Sequence, residues 1–288
     1  MLHPIVGSPI LSRCAYTLLG GLLFILSGCD DELQKIRFDE RSPFERILVI
    51  DRGDKRYLRF GKAATGNQST ISLSDPNAVP AEYIRIAMLG MVMTPPQERV
   101  LMIGLGGGTF TTLLRRHYPN LRIDVVEIDP MVVEVAKTFF GVREDERYRV
   151  YVADGAKYVR QTKRRYELVL IDAYGGEGIP EDLSSPVFFN AVKSRLSPKG
   201  VAILNLWDQR GREALMADRF RNSFSESAWI RSEDGYNLVV FAMTAAMPDQ
   251  ADLVRAARGL TAQLDLSFDL AEIAERLSFD IGGSASQD

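Results

Sequence analysis

The chain has 288 residues, 46% hydrophobic and 25% charged, with a formal net charge of -3 and a pI near 5.6. Such a composition excludes a largely disordered chain and allows one large domain, alone or with a smaller one. It also lacks the basic excess by which proteins neutralise nucleic-acid phosphates, and the run Lys163, Arg164, Arg165 reads as a solvated surface.

In chain order, Arg13 precedes an apolar run over residues 15–26, short for a membrane span and suited to the hydrophobic region of a signal peptide. The following Leu26-Ser27-Gly28-Cys29 resembles the lipobox of bacterial lipoproteins, in which cleavage leaves the cysteine as a lipidated N-terminus. Either a lipidated Cys29 or an uncleaved anchor would tie the chain to a membrane; an unprocessed leader would leave the domain cytoplasmic. The leader is therefore set at residues 1–36. Only Cys14 and Cys29, and only His3 and His117, are present. That count excludes structural disulfides in a chain beginning at Cys29, and it offers no zinc cluster and no Cys/His or Ser/His pair. No metal is expected, and His117 is expected near a helix end with no chemical role. Chemistry must rest on carboxylates, hydroxyls, backbone groups and a cofactor.

A small β section is expected over residues 37–80. Residues 46–61 read as two strands joined by a turn at Gly53, and the Ser/Asn/Pro-rich stretch 66–80 reads as a link. Gln68, in that link, is placed with the cofactor-binding residues. A helix over 81–93 is ended by Pro95-Pro96. From Arg99 the pattern becomes βαβ: strands at 100–103, 122–127, 149–152 and 166–172, a fifth at 201–207, and helices at 109–118, 130–140 and 188–196. Asp129 suits the N-cap and Pro130 the first turn of the second of these helices. Residues 229–243 read as an antiparallel strand pair at a sheet edge. The nucleoside-binding domain is thus expected over 81–245, with a C-terminal helical segment and tail over 246–288.

Gly104, Gly106 and Gly108 follow the first of these strands and precede a helix, at the carboxyl edge where doubly wound sheets bind nucleotides. Their G-x-G-x-G spacing places Thr109 where the last glycine of a dinucleotide fingerprint would fall, which argues against NAD. Glu127 ends the second strand, where an acid can accept hydrogen bonds from both ribose hydroxyls, and Asp154-Gly155 follow the third at the depth of an adenine. Three strand ends carrying an acid or a glycine turn favour an adenosine ligand.

These residues resemble the spermidine synthase family, aminopropyltransferases on the class I S-adenosylmethionine methyltransferase fold. The likeness runs from about Pro43 to Ala242, through "SPFERILVID", "RVLMIGLGGG", "VEIDP", "ADGAKYV", "YELVLIDAY" and "LSPKGVAILNLW". It implies an α/β, Rossmann-like fold with a mostly parallel seven-stranded sheet, a small N-terminal β domain and a homodimer. It also implies that Glu127 holds the ribose and Asp154 the adenine amino group of decarboxylated S-adenosylmethionine or S-adenosylmethionine, and that a small-molecule amine is the acceptor. Asp172 would take the amine's proton, with Tyr174 and Glu177 beside it.

The sequence departs from that family at its acids. Gly107 stands where the glycine motif carries Asp, Gly175 stands where D-x-x-D-P carries its second Asp, and Glu82-Tyr83 lack the histidine of the family's Tyr-His pair. Glu177, Glu181 and Asp182 follow in a glycine-flanked loop and could supply a missing base. Three readings therefore stand open: an aminopropyltransferase with a rearranged acidic site acting on a polyamine such as putrescine, an S-adenosylmethionine-dependent methyltransferase, and a non-catalytic, nucleoside-binding protein tethered to a membrane.

Overall fold

The computed structural model describes residues 34–61, 66–94, 97–174, 178–207 and 213–279. Residues 1–33 of the expected leader, Cys29 included, and the positions Gly175 and Glu177 lie outside the described residues. No helix among the described residues is long and apolar enough to cross a membrane.

The front of the chain is a four-stranded antiparallel sheet of β1 (Lys35–Arg41), β2 (Arg46–Arg52), β3 (Lys55–Phe60) and β4 (Asn67–Ser72), in that order. The hairpin between β2 and β3 turns at Gly53, whose φ is +55°. Two of these strands correct the sequence reading: β1 starts inside the expected leader, and β4 occupies part of the expected link. Their apolar signal is sparse, Ile36 and Phe38 in β1 and Ile71 in β4. β1 is an exposed edge strand rich in charge, and β4 is polar, so both are defined by hydrogen bonding to neighbours.

Next come α1 (Glu82–Ala87) and α2 (Gly90–Met93), where a single helix was expected. At Gly90 the backbone lies so close to the sheet that a Cβ would sit 2.6 Å from Ile203 and 2.7 Å from Leu168. Then follow β5 (Arg99–Ile103), α3 (Thr109–His117), β6 (Arg122–Glu127), α4 (Pro130–Phe139), β7 (Tyr148–Val152), α5 (Gly155–Gln161) and β8 (Tyr166–Ile171). A 3₁₀ turn at Glu181–Leu183 leads to α6 (Pro186–Arg195), β9 (Leu196–Trp207), α7 (Glu213–Arg221), β10 (Glu226–Arg231) and β11 (Asn237–Met243). α8 (Gln250–Leu264), α9 (Leu270–Glu275) and the two-residue β12 (Ser278–Phe279) complete the described chain. Sequence reading missed α5, α7 and β12, and it began the fifth strand at residue 201, whereas β9 starts at Leu196 and takes up the extra residues in a register shift against β8.

The large sheet is ordered β12-β10-β11-β9-β8-β5-β6-β7, eight strands where seven were expected. β9, β8, β5, β6 and β7 are parallel, and β11, β10 and β12 extend the sheet antiparallel. Alternate residues of β5 face opposite layers: Val100 and Met102 pack toward α1, α2, α3, α8 and α9, while Leu101 and Ile103 pack toward α5, α6 and α7. The result is the expected α/β, Rossmann-like three-layer body. The chain steps outward from β5 to β7 and then returns to β8 beside β5, so the strand order reverses between β5 and β8. The crevice for a ligand opens above that reversal, at the carboxyl ends of the strands.

The front sheet rests on α4. Ile47, Val49 and Leu58 meet Val132, Val135 and Phe140 in one apolar cluster. Beside it, buried Asp51 takes a forked pair of hydrogen bonds from Arg56 at 2.7 and 2.9 Å and one from Arg37 at 2.5 Å. Arg56 donates its remaining bond to the Phe139 carbonyl at the end of α4, 2.9 Å away. Its hydrogen bonds, with those of Arg37, hold the Asp51 carboxyl below the ordinary carboxylate range. Because the folded value is depressed, this stabilisation is present above the unfolded value near pH 4 and is lost as pH falls through the lower folded value. Asp51→Asn should therefore cost about 3 kcal/mol at neutral pH in denaturant unfolding, and the gap to wild type should close below about pH 4.

Candidate active site

Four parallel strands deliver one group each to the rim above the reversal. β5 ends in the glycine turn, β6 ends in Glu127, and β7 leads to Asp154. β8 leads to Asp172. Gly104 has φ +88°, and a Cβ there would lie 2.2 Å from the Asp172 carbonyl oxygen, so only glycine lets the two strand ends sit this close. The Asp172 amide donates to the Ile103 carbonyl at 2.9 Å, and the Gly104 amide donates to Val126 at 2.8 Å.

A cavity of about 420 Å³ opens on this rim between the two sheets. Of the residues assigned from sequence to the cofactor, Gly104, Gly106, Glu127, Asp154, Gly155 and Gln68 line it. Gly108 does not; it starts α3 at φ +68°, and a Cβ there would press on Val142 at 2.4 Å. Glu127 is buried and accepts the Leu105 amide at 2.8 Å and the Asp129 amide at 3.0 Å, while burial pushes its carboxyl up. Asp154 caps α5 by accepting the Lys157 amide at 2.8 Å. Gly155 lets that helix close on β5, since a Cβ would fall 2.6 Å from Ile103.

Asp172 and Tyr174, assigned from sequence to catalysis, stand at the wall between this cavity and a second one of about 780 Å³; Glu177 lies outside the described residues. Asp172 accepts a hydrogen bond from Asn205 Nδ2 at 2.8 Å and another from the Tyr83 hydroxyl. Enclosure by protein nonetheless pushes its carboxyl up, against the opposing pull of those two donors. Burial beside Asp172 raises Tyr83 well above the ordinary tyrosine range, which keeps its hydroxyl protonated and donating. Asn205 is in turn held by Asn237, whose Nδ2 donates to Asn205 Oδ1 at 3.0 Å. The Tyr174 hydroxyl donates to the Asn205 carbonyl at 2.7 Å and accepts from the Trp207 amide, so it fastens the end of β8 to β9 while its ring lines both cavities. Of the two downstream acids described, Asp182 lines the first cavity, whereas Glu181 does not.

Sequence reading missed Asn205, which it treated only as part of a strand, although Asn within an otherwise apolar buried run was a legible signal. It missed Ser69 as well. The Ser69 hydroxyl accepts the Gly107 amide at 2.8 Å, and a Cβ on Gly107 would come 2.8 Å from Ser69 Cβ and 2.9 Å from Phe140. The space of the family's glycine-motif Asp is therefore filled by β4 and the end of α4. Among the described residues no cluster of His, Cys, Asp and Glu is placed to hold a metal.

A family model described as the spermine/spermidine synthase domain matches residues 81–219. The polyamine aminopropyltransferase of Vibrio vulnificus is 30% identical over 233 residues, covering 78% of each chain. The chain belongs to the spermidine synthase family. A solved spermidine synthase in complex with the transition-state analogue AdoDATO shares the fold at TM-score 0.69 and 20% identity, with 86% of this chain and 85% of that one covered. Human methyltransferase-like protein 13 in complex with SAH superposes at TM-score 0.59 and 26% identity, covering 64% of this chain and 93% of that one. Within a spermidine synthase family member, Gly107 and Ser69 form a matched pair that excludes the usual acid. Gly107→Asp should thus destabilise the fold by about 2 kcal/mol, and adding Ser69→Gly should recover part of that loss in thermal unfolding.

Proposed function

We propose that this protein transfers an aminopropyl group from decarboxylated S-adenosylmethionine to a primary amine, with putrescine as the first acceptor to try. The observation that carries this reading is the charge of the first cavity. Glu45, Glu127, Asp129, Asp154, Asp172 and Asp182 line it, and among the described residues no lysine or arginine does. The decarboxylated donor carries a sulfonium and an ammonium and no carboxylate, so it suits such a wall. The intact donor would bring a carboxylate to a cavity without a cation to receive it.

In this reading Glu127 accepts from the ribose hydroxyls, Asp154 from the adenine amino group, and Gly104 and Gly106 let the nucleoside approach the backbone. The acceptor enters from the second cavity and meets Asp172 at the shared wall. Its nitrogen lone pair attacks the aminopropyl carbon bonded to sulfur, the C–N bond forms as the C–S bond breaks, and methylthioadenosine leaves with the electron pair. The proton released from nitrogen passes to the Asp172 carboxylate. Tyr83 and Asn205 hold that carboxylate toward the amine, and holding the reactants in line supplies much of the rate. We also propose a membrane tether through the N-terminal apolar run.

For the tether, intact mass of the membrane-extracted protein should show cleavage before Cys29 and added acyl chains; an unmodified full-length mass would remove lipidation. Calorimetric titration should show tighter binding of decarboxylated S-adenosylmethionine than of S-adenosylmethionine, and the reverse order would replace aminopropyl transfer with methyl transfer. Asp172→Asn should lower transfer by about 10²- to 10⁴-fold while donor affinity changes little. Because Asp172 works as the carboxylate and sits above its ordinary value, activity should rise with pH through that raised value. Tyr83→Phe removes a donor to the charged form and should move the rising limb to higher pH.

A further inference from the structure

The second cavity differs from the first in holding cations as well as acids, and one of them, Arg85, forms no ion pair among the described residues. Arg85, on α1, lines it, and its Nε is enclosed by protein with no hydrogen-bond acceptor among the described residues. The acid placed one turn earlier on the same helix, Glu82, is already engaged. Its Oε1 pairs with Arg276 at 2.8 Å, and its Oε2 accepts the Glu233 amide at 2.8 Å. Asp172, the acid shared with the first cavity, is taken by Asn205 and Tyr83. Lys55, at the same cavity, adds charge of the same sign. A half-buried guanidinium that forms no ion pair among the described residues is left uncompensated, and a ligand anion placed against the part of it that faces the cavity would pair with it.

This bears directly on the acceptor. A diamine bound by one nitrogen at Asp172 would carry its second ammonium into a cavity that contains Arg85, and Gly175 stands where the family would supply an acid for it. A carboxylate at the far end of the acceptor reverses that interaction. We infer that the acceptor is an amino carboxylic acid, its amine delivered to Asp172 and Tyr83 and its carboxylate held by Arg85. A zwitterion also matches a wall that holds acids, Glu82, Glu233 and Asp234, together with the two cations. The inference rests on the aminopropyl-transfer reading, and the bonds made and broken are those given above, with the amine proton passing to Asp172.

The test uses the full chain with decarboxylated S-adenosylmethionine and follows methylthioadenosine release. Three acceptors of matched length are compared: putrescine, 4-aminobutyrate and its neutral amide, 4-aminobutanamide. 4-Aminobutyrate should give at least a 10-fold higher kcat/KM than either of the others. Arg85→Glu should lower the 4-aminobutyrate value about 30-fold, chiefly through KM, and raise that of putrescine, so that the order inverts. The gain with putrescine shows that the variant is folded. Preference of the wild-type protein for putrescine, or equal use of 4-aminobutyrate and its amide, would overturn the inference while leaving aminopropyl transfer intact. So would a loss confined to binding of intact S-adenosylmethionine in Arg85→Glu, which would assign the guanidinium to the donor. Absence of methylthioadenosine release with every acceptor would remove the transfer reading and the inference with it.

Discussion

The close approach of Gly104 to the main chain of Asp172 is the constraint on which the rim depends. With a side chain at residue 104 only 2.2 Å from the Asp172 carbonyl, β5 and β8 could not both end where they do. Their ends are further joined by the Asp172 amide on Ile103, and β5 is joined to β6 by the Gly104 amide on Val126. These backbone bonds place the glycine turn, Glu127 and Asp172 on one edge, so the site is positioned by rigid strands and not by loops. Each carboxylate on that edge is partly desolvated, which raises the carboxyl of both Glu127 and Asp172. The same enclosure that makes the charges costly makes their interactions with a cationic ligand strong.

The two cavities on either side of Asp172 and Tyr174 have different electrostatic character. The first is walled by acids, whereas the second mixes acids with Arg85 and Lys55. On the proposed reading, a dicationic donor would face the acids of the first cavity and a zwitterionic acceptor the mixed wall of the second. Asp172 would serve both, because it is the charged residue common to the two walls. The chain Asn237, Asn205, Asp172 holds the carboxylate from the antiparallel side of the sheet, which gives β11 a part in a site otherwise built from parallel strands. The front sheet closes the opposite side. It is fixed to α4 by an apolar contact and by the Arg56 bridge between Asp51 and Phe139.

Much of this was legible in the sequence, for identifiable reasons. Buried parallel strands are continuous apolar runs, and helices open with caps such as Asp129, so the βαβ order could be read directly. Glycines and acids at strand ends marked the rim because nothing in an apolar core calls for them there. The strands that escaped notice, β1 and β4, carry few apolar residues, Ile36 and Phe38 in one and Ile71 in the other, and α5 is short, so that Asp154 served equally as a cap or as a ligand residue. The eighth strand is two residues long and exists through pairing with β10.

The sequence by itself determined the α/β class, the order of the blocks and the identity of the acids on the rim, since periodicity and strand-end chemistry are local properties. Tertiary structure decided what those residues touch. That Ser69 occupies the space beside Gly107, that Asn205 and Tyr83 converge on Asp172, that Gly108 packs instead of lining the cavity and that Glu82 is claimed by Arg276 all depend on segments far apart in the chain. Such contacts follow from how the sheets and helices pack in space, which residue spacing along one segment does not encode.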